Sequence, residues 1–373
     1  MRIRNNFRRK IERLLSFADI EIGGDRPCDI TVHNERFYAR VMAGGSLGLG
    51  ESYMDGWWDC GRLDEFFYKI FCAQVETKIK LWRDFFRIFK AKLFNPQKLS
   101  RAFHIGEHHY DIGNDLFRHM LGKYLVYSCG YWKDASSLDE AQEAKLDLVC
   151  QKLGLQPGMQ VLDIGCGWGG AIKFIAEHYQ AKVLGITVSK EQVKFGKDLC
   201  KGLPVEIRLQ DYRSLKGRFD RIFSLGMFEH VGYKNYVNFM GVVNRCLEDD
   251  GLFLLHTIGG NFSDVRIDPW IERYIFPNFL LPSAKQICAS IKGLFVIEDW
   301  HNFGADYDKT LMQWFYNFDN NWDTLKKNYD DKFYRMWKYY LLVCAGSFRA
   351  RKNYLWQIVL SPKGFQGEYR SVR

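Results

Sequence analysis

From about residue 105 onward, short apolar runs alternate with stretches whose apolar residues recur at helical spacing. MQVLDIG (159–165), AKVLGITVS (181–189), VEIRLQD (205–211), FDRIFSLGMFEHV (219–231) and GLFLLHTIG (251–259) read as strands. AIKFIAEHY, KEQVKFGKDLC and YVNFMGVVNRCL read as the helices between them, and DEAQEAKLDLVCQKL (139–153) as a helix leading in. GLFVIEDW and NYLWQIVLS add two last strands. Such alternation predicts an α/β domain over 105–373, built on an open, mostly parallel seven-stranded sheet. Sheets of this kind take ligands at the carboxyl ends of their strands. Two segments interrupt the rhythm, 259–285 and 301–350, and both are dense in aromatic residues. A substrate pocket is favoured for them over a helical cap packed through its own rings.

Residues 1–80 predict a small, mainly helical unit whose glycine-rich loops carry exposed aromatics, suited to engaging lipid. Residues 81–104 predict an amphipathic helix and a linker. Trp82, Phe85, Phe86, Phe89 and Leu93 share one face, and Arg83, Arg87 and Lys90 lie on another. Aromatic bulk beside basic charge suits an anionic bilayer interface. Packing of 82–93 on its own domain fits the same pattern, and both readings stay open.

The chain has 373 residues, and its 16% aromatic content exceeds what a core needs, which reinforces the pocket reading. A formal net charge of +9 points to an anionic partner. No zinc-ligand spacing and no recognition-helix signature occurs, so a membrane surface is expected rather than nucleic acid, and no metal site is expected. Ten cysteines are scattered without a framework, no run of 18 apolar residues occurs, and no secretory signal is evident. The expectation is a cytoplasmic protein with reduced thiols that lies peripherally on the inner membrane.

VLDIGCGWGG (161–170) holds the spacing G-x-G-x-x-G at Gly165, Gly167 and Gly170. Alone, that spacing is weak. Asp163 sharpens it, because a carboxylate before the loop would repel a pyrophosphate and suits a cationic ligand. S-adenosylmethionine carries both an ammonium and a sulfonium, and the string resembles the first motif of class I methyltransferases. Glu191 or Gln192 could meet the ribose, with a solvated helix start as the plain alternative. Asp211 could meet the adenine amine and Tyr212 could stack on its ring.

Longer strings resemble the cyclopropane fatty acid synthase family over nearly the whole chain: EHHYDIGNDLF, YSCGYWKDASSLDEAQEAKL, GMFEHVG, LLHTIG, DPWIERYIFPN, EDWHNFGADYDKTL and CAGSFRAR. Gly130 departs from the alanine common there. The resemblance implies a class I S-adenosylmethionine-dependent methyltransferase fold, Rossmann-like, behind a small helical N-terminal domain. It implies transfer of a methylene from S-adenosylmethionine to the cis double bond of acyl chains in membrane phospholipids, through a carbocation. It implies bound bicarbonate as the general base, and a homodimer.

By the same resemblance the bicarbonate site falls on Cys129, Glu229, His256, Ile258 and Tyr307, with Cys129 and Ile258 acting through backbone atoms. His256 and Tyr307 would donate hydrogen bonds, and Glu229 would accept the anion's proton. Read singly, His256 fits a core histidine, Glu229 an ion pair with His230, and Tyr307 a pocket aromatic. Cys344 resembles a family cysteine given an active-site role, yet a thiolate beside a carbocation is a hazard, so a buried pocket residue is favoured. Cofactor contacts fall on Tyr127, Ser128, Asp163, Gly165, Cys166, Gly167, Trp168, Gly169, the 187–192 segment with Thr187 and Gln192, Asp211 and Tyr212. His109 and Tyr110 lie in the segment that would fold over the cofactor. The nearest rival is a fatty-acyl C-methyltransferase that leaves a methyl branch. A non-catalytic membrane-binding module and a nucleotide-dependent oxidoreductase are more distant.

Overall fold

A computed structural model describes residues 2–75, 113–263 and 267–373. The predicted helix at 82–93, with His109 and Tyr110, lies outside the described residues.

The chain forms two compact units. The first gathers the described residues of 1–91 with 267–277 and 307–353. Its helices α1 (Arg2–Ser16), α2 (Arg36–Gly44), α3 (Ser46–Met54) and α4 (Leu63–Cys72) surround a two-stranded ladder, β1 (Ile30–Val32) with β2 (Trp58–Cys60). The domain boundary is therefore drawn differently from the sequence expectation. Parts of both aromatic insertions, 267–277 and 307–353, pack with the N-terminal helices rather than with the sheet that flanks them in sequence. The physical reason is visible in the side chains. Arg349 joins the buried Asp64 at 2.8 Å and Asp308 at 2.8 Å, and Arg335 joins Asp59 at 2.7 Å and covers the Tyr53 ring. Trp58, Trp270 and Trp337 are all buried, Trp270 packing on Tyr339 and Trp337 on Tyr340. Gly50 admits this packing, because a side chain there would run into the Trp270 indole.

The second unit gathers the described residues of 113–263 with 278–306 and 354–373. It begins with α5 (Asn114–Leu121) and α6 (Leu138–Leu153). Ser137 caps the start of α6, and left-handed Gly154 ends it. Then come β3 (Gln160–Ile164), α7 (Gly170–Tyr179), β4 (Lys182–Thr187), α8 (Lys190–Leu199), β5 (Val205–Leu209) and β6 (Phe219–Leu225). After these follow α9 (Tyr236–Cys246), β7 (Leu247–Gly259), α10 (Pro269–Tyr274, in the first unit), α11 (Ala284–Ile291), β8 (Val296–Asn302) and β9 (Tyr354–Ser361). The strands form one seven-stranded sheet in the order β5-β4-β3-β6-β7-β9-β8. Neighbours from β5 to β7 run parallel, and β9 is antiparallel to both β7 and β8. The mostly parallel sheet expected from the sequence is present.

Side chains of period two divide the core between the two faces of the sheet. Leu162, Ile164, Leu255 and Ile358 pack on the α9 and α11 side. Val161, Leu254 and Val359 pack on the α6 and α7 side. Asp163, His256 and Gln357 share the parity of that second set, so three polar side chains enter the sheet on the α6 face. The chain order reverses between β3 and β6, where an α/β sheet opens a crevice at its carboxyl end.

Candidate active site

Asp163 is the penultimate residue of β3 and is fully buried. Burial pushes its carboxyl well above the ordinary range, and Lys145 pulls it back down. Its Oδ1 has no hydrogen-bond partner among the described residues. The loop that follows is tight. Gly165 has φ 98°, and a Cβ there would meet Met227 at 2.8 Å. A Cβ on Gly170 would strike the Tyr124 carbonyl. Cys166 is buried inside this turn, and Gly167 and Gly169 also have positive φ. Trp168 turns away, donating from Nε1 to Asn114 Oδ1 at 2.8 Å and packing on Phe117.

The other cofactor candidates gather around the strand ends. Thr187 donates to Gln192 Oε1 at 2.6 Å, while Ser189 caps α8 by accepting from Gln192 N at 3.3 Å. Asp211 accepts from Arg213 N and pairs with the Arg213 guanidinium at 2.9 Å. Tyr212 packs edge-on against Phe239 in the core, and its hydroxyl has no partner. Tyr127 lies edge-on to Phe117. The adjoining Ser128 and Cys129 are buried, and the Cys129 thiol donates to Gly130 O at 3.1 Å. A methyl on Gly130 would press within 2.9 Å of Ala141 Cβ, which accounts for glycine here.

Two residues missed by the sequence reading fix this segment. Gln142 donates to Ser128 O at 2.9 Å, and Lys145 donates from Nζ to Ser128 Oγ at 3.0 Å. Lys145 is wholly buried, and burial lowers its pKa to about 7 against the pull of Cys129 and Asp163.

Glu229 was expected at the end of the fourth strand. It lies four residues beyond β6, on the 3-10 turn Phe228–His230. Its Oε1 accepts from Ile258 N at 2.7 Å, so the backbone of Ile258 is committed to holding Glu229. Its Oε2 is buried and has no partner among the described residues. Burial raises the carboxyl to about 7, with the Ile258 hydrogen bond opposing. Neighbouring His230 is driven down to about 4 by burial alone, and its ring stands edge-on to Phe279. His256, late in β7, is kept neutral first by burial and then by the charges of Lys145 and Lys152. Its Nδ1 meets Gln357 Nε2 at 3.3 Å, and its Nε2 has no partner among the described residues.

Tyr307 and Cys344 belong to the first unit. Tyr307 is buried against Phe348 and Trp314. Cys344 lies on α12 (Asp331–Arg349), where burial pushes its thiol up to about 12. That value favours a packed thiol over a reactive one. Within the second unit, then, the structure brings Cys129, Glu229, His256 and Ile258 to the carboxyl end of the sheet beside the glycine loop. Asp163 Oδ1, Gln142 Oε1, Glu229 Oε2 and His256 Nε2 have no partner among the described residues, and each could take a hydrogen bond from or give one to a polar ligand. A carboxylate before a glycine turn fits S-adenosylmethionine. Among the described residues, no cluster of metal-ligating side chains occurs.

This fold and loop define a class I methyltransferase. The family model for mycolic acid cyclopropane synthetase matches residues 97–358, and the chain belongs to that family. It is 53% identical over 370 residues to the cyclopropane-fatty-acyl-phospholipid synthase of Escherichia coli K12, covering 99% of this chain and 97% of that protein. It is 31% identical over 339 residues to a sphingolipid C9-methyltransferase of Emericella nidulans, covering 80% of this chain and 64% of the relative. Among solved structures, a mycolic acid cyclopropane synthase complexed with SAH and CTAB superposes with a TM-score of 0.65 at 33% identity, covering 69% of this chain and 97% of that one.

Proposed function

We propose that the chain transfers a methylene from S-adenosylmethionine to the cis double bond of unsaturated acyl chains in membrane phospholipids, and that bicarbonate occupies the oxyanion position. The observation that carries the reading is the pair of buried, unpartnered atoms Glu229 Oε2 and His256 Nε2. Bicarbonate, when bound, supplies a base that cannot be alkylated into a dead enzyme as a protein nucleophile would be. The Glu229 carboxylate accepts the anion's O–H through Oε2, while Ile258 N–H holds Oε1 in place. His256 donates from Nε2. Asp163 faces the cationic end of the donor, and the glycine turn lets the backbone approach it. Burial of the whole set keeps water from competing for a cationic centre. Tyr307 and Cys344 enter only by resemblance, Tyr307 as a further donor and Cys344 as a packed thiol.

The chain also acts, on this reading, as a homodimer lying on the inner membrane from the cytoplasmic side, drawn by its net charge of +9. Among the described residues, no helix is long and apolar enough to cross a membrane.

The test is turnover on vesicles of defined unsaturated phospholipid, with and without bicarbonate, using the wild type and Glu229→Gln. The expected result is a loss in turnover of about 100-fold for the variant. Affinity for S-adenosylhomocysteine, measured by calorimetry, should barely change. Equal losses in both would make Glu229 part of the cofactor pocket. Proton NMR of the product separates the rival chemistry, since a methyl branch without ring protons would establish a C-methyltransferase.

A further inference from the structure

The sheet places His256, Gln357 and His301 directly opposite one another on β7, β9 and β8. Opposed residues in an antiparallel ladder share a face, and here it is the face covered by α6. Gln357 is wholly buried and is the one polar residue within the run LWQIVL of β9. A buried amide in such a place is costly unless its hydrogen bonds serve a purpose. Gln357 Nε2 lies 3.3 Å from His256 Nδ1. On the other side of the row, His301 Nδ1 lies 3.0 Å from Lys152 Nζ.

With the Gln357 amide nitrogen turned toward the ring, and its Oε1 left without a partner among the described residues, Nδ1 accepts and is the bare nitrogen of the ring. A neutral imidazole then carries its single proton on Nε2. We propose that Gln357 is a positioning residue that fixes His256 as the Nε2–H tautomer, so that the buried Nε2 is a hydrogen-bond donor. The role of that donor, toward a bicarbonate-type oxyanion, rests on the function proposed above; the tautomer itself does not. His301 obeys the same rule, since the Lys152 ammonium can only donate to its Nδ1. Burial, with Lys145 and Lys152 nearby, keeps His256 neutral, which makes the choice of tautomer meaningful.

Imidazole 15N NMR on ring-labelled, full-length protein tests this directly. The chain holds nine histidines, and the His256 signals are assigned by their loss in His256→Asn. In the wild type, His256 should show a protonated Nε2 and a bare Nδ1. Gln357→Leu should leave a mixture of tautomers. Gln357→Glu, whose carboxylate accepts from Nδ1–H, should reverse the tautomer and lower turnover about 100-fold, as loss of an oxyanion donor does. Affinity for S-adenosylhomocysteine should hold in both variants. A protonated Nδ1 in the wild type overturns the proposal whatever the variants do, so it remains falsifiable if neither of them folds. Wild-type tautomer and activity in Gln357→Glu also overturn it. If bicarbonate has no effect on wild-type turnover while the tautomer is as stated, the oxyanion reading fails and the role of Gln357 stands.

Discussion

Lys145 and Lys152 lie two turns apart on the same face of α6, and both are almost wholly buried, at 0% and 1% exposure. Their surroundings could hardly differ more. Lys152 reaches Asp299 at 3.4 Å and His301 at 3.0 Å, and Asp299 is also held by Arg373 at 2.6 Å and Ser371 at 3.0 Å. Its pKa falls to about 8 through burial, with Asp299 resisting. Among the described residues, Lys145 meets only a hydroxyl, Ser128 Oγ, and the carboxylate it senses, Asp163, keeps an unpartnered oxygen. Burial alone therefore does not mark a functional site. At the Lys152 end the polar groups complete one another and tie β8 and the C-terminal tail to α6. At the Lys145 end they are left incomplete among the described residues, which is the opening the proposed cofactor would fill.

The largest expected effect tests the completed end. Asp299→Ala would leave Lys152 and Arg373 facing each other without their carboxylate. Removing one partner of a buried pair costs about 3–5 kcal/mol, because the remaining charge stays uncompensated. Urea unfolding should show that loss, while the folded variant keeps its affinity for S-adenosylhomocysteine. A stable variant with weakened cofactor binding would reverse the assignment of the two ends.

The sequence made the sheet legible because its central strands are buried on both faces and read as unbroken apolar runs. Asp163 was legible for the same reason, as a charge where a charge does not belong. Glu229 was misplaced by four residues, since a 3-10 turn continues past the end of β6 without any break in apolar pattern. Lys145 and Gln142 looked like solvated helix residues. One signal could have found them: Leu138, Gln142, Lys145, Val149 and Lys152 fall at steps of four, three, four and three, so the polar members share a stripe with Leu138 and Val149 and are buried with them. Gln357 offered a similar hint as the lone polar residue within LWQIVL. The grouping of 307–353 with the N-terminal helices had no local signature. It depends on pairs such as Arg349 with Asp64, far apart in the chain.

A middle-sized effect tests the incomplete end through pH. Lys145 has a folded pKa near 7 against an ordinary 10.5. The unfolded chain therefore binds this proton more tightly, and the resulting stability is present above the unfolded value and lost as pH falls through the folded one. Glu229 acts in the opposite sense. Its stabilising share is present below its unfolded value and is lost as pH rises through about 7. Between pH 7 and 9 the lysine thus dominates. Wild type should gain about 2 kcal/mol over that window relative to Lys145→Met, read as the difference between two series of urea unfolding curves. The difference belongs to the Lys145–Asp163 pair, since removing the lysine also raises Asp163. Parallel curves would mean that Lys145 is charged at every pH in the window and has a full partner, which would erase the contrast with Lys152.

The smallest effect sharpens the contrast from the other side. Ser371 gives Asp299 one hydrogen bond of several, at 3.0 Å from Oδ1, while Arg373 and Lys152 remain in place without it. Ser371→Ala should cost about 1 kcal/mol, the net worth of a single hydrogen bond whose acceptor keeps other donors. Turnover and cofactor affinity should not move, because the serine reaches the site only through a carboxylate that stays saturated. A loss as large as that of Asp299→Ala would mean that the cluster has no redundancy. Three donors on one carboxylate would then each be indispensable, and the Lys152 end would be as finely poised as the Lys145 end rather than its structural opposite.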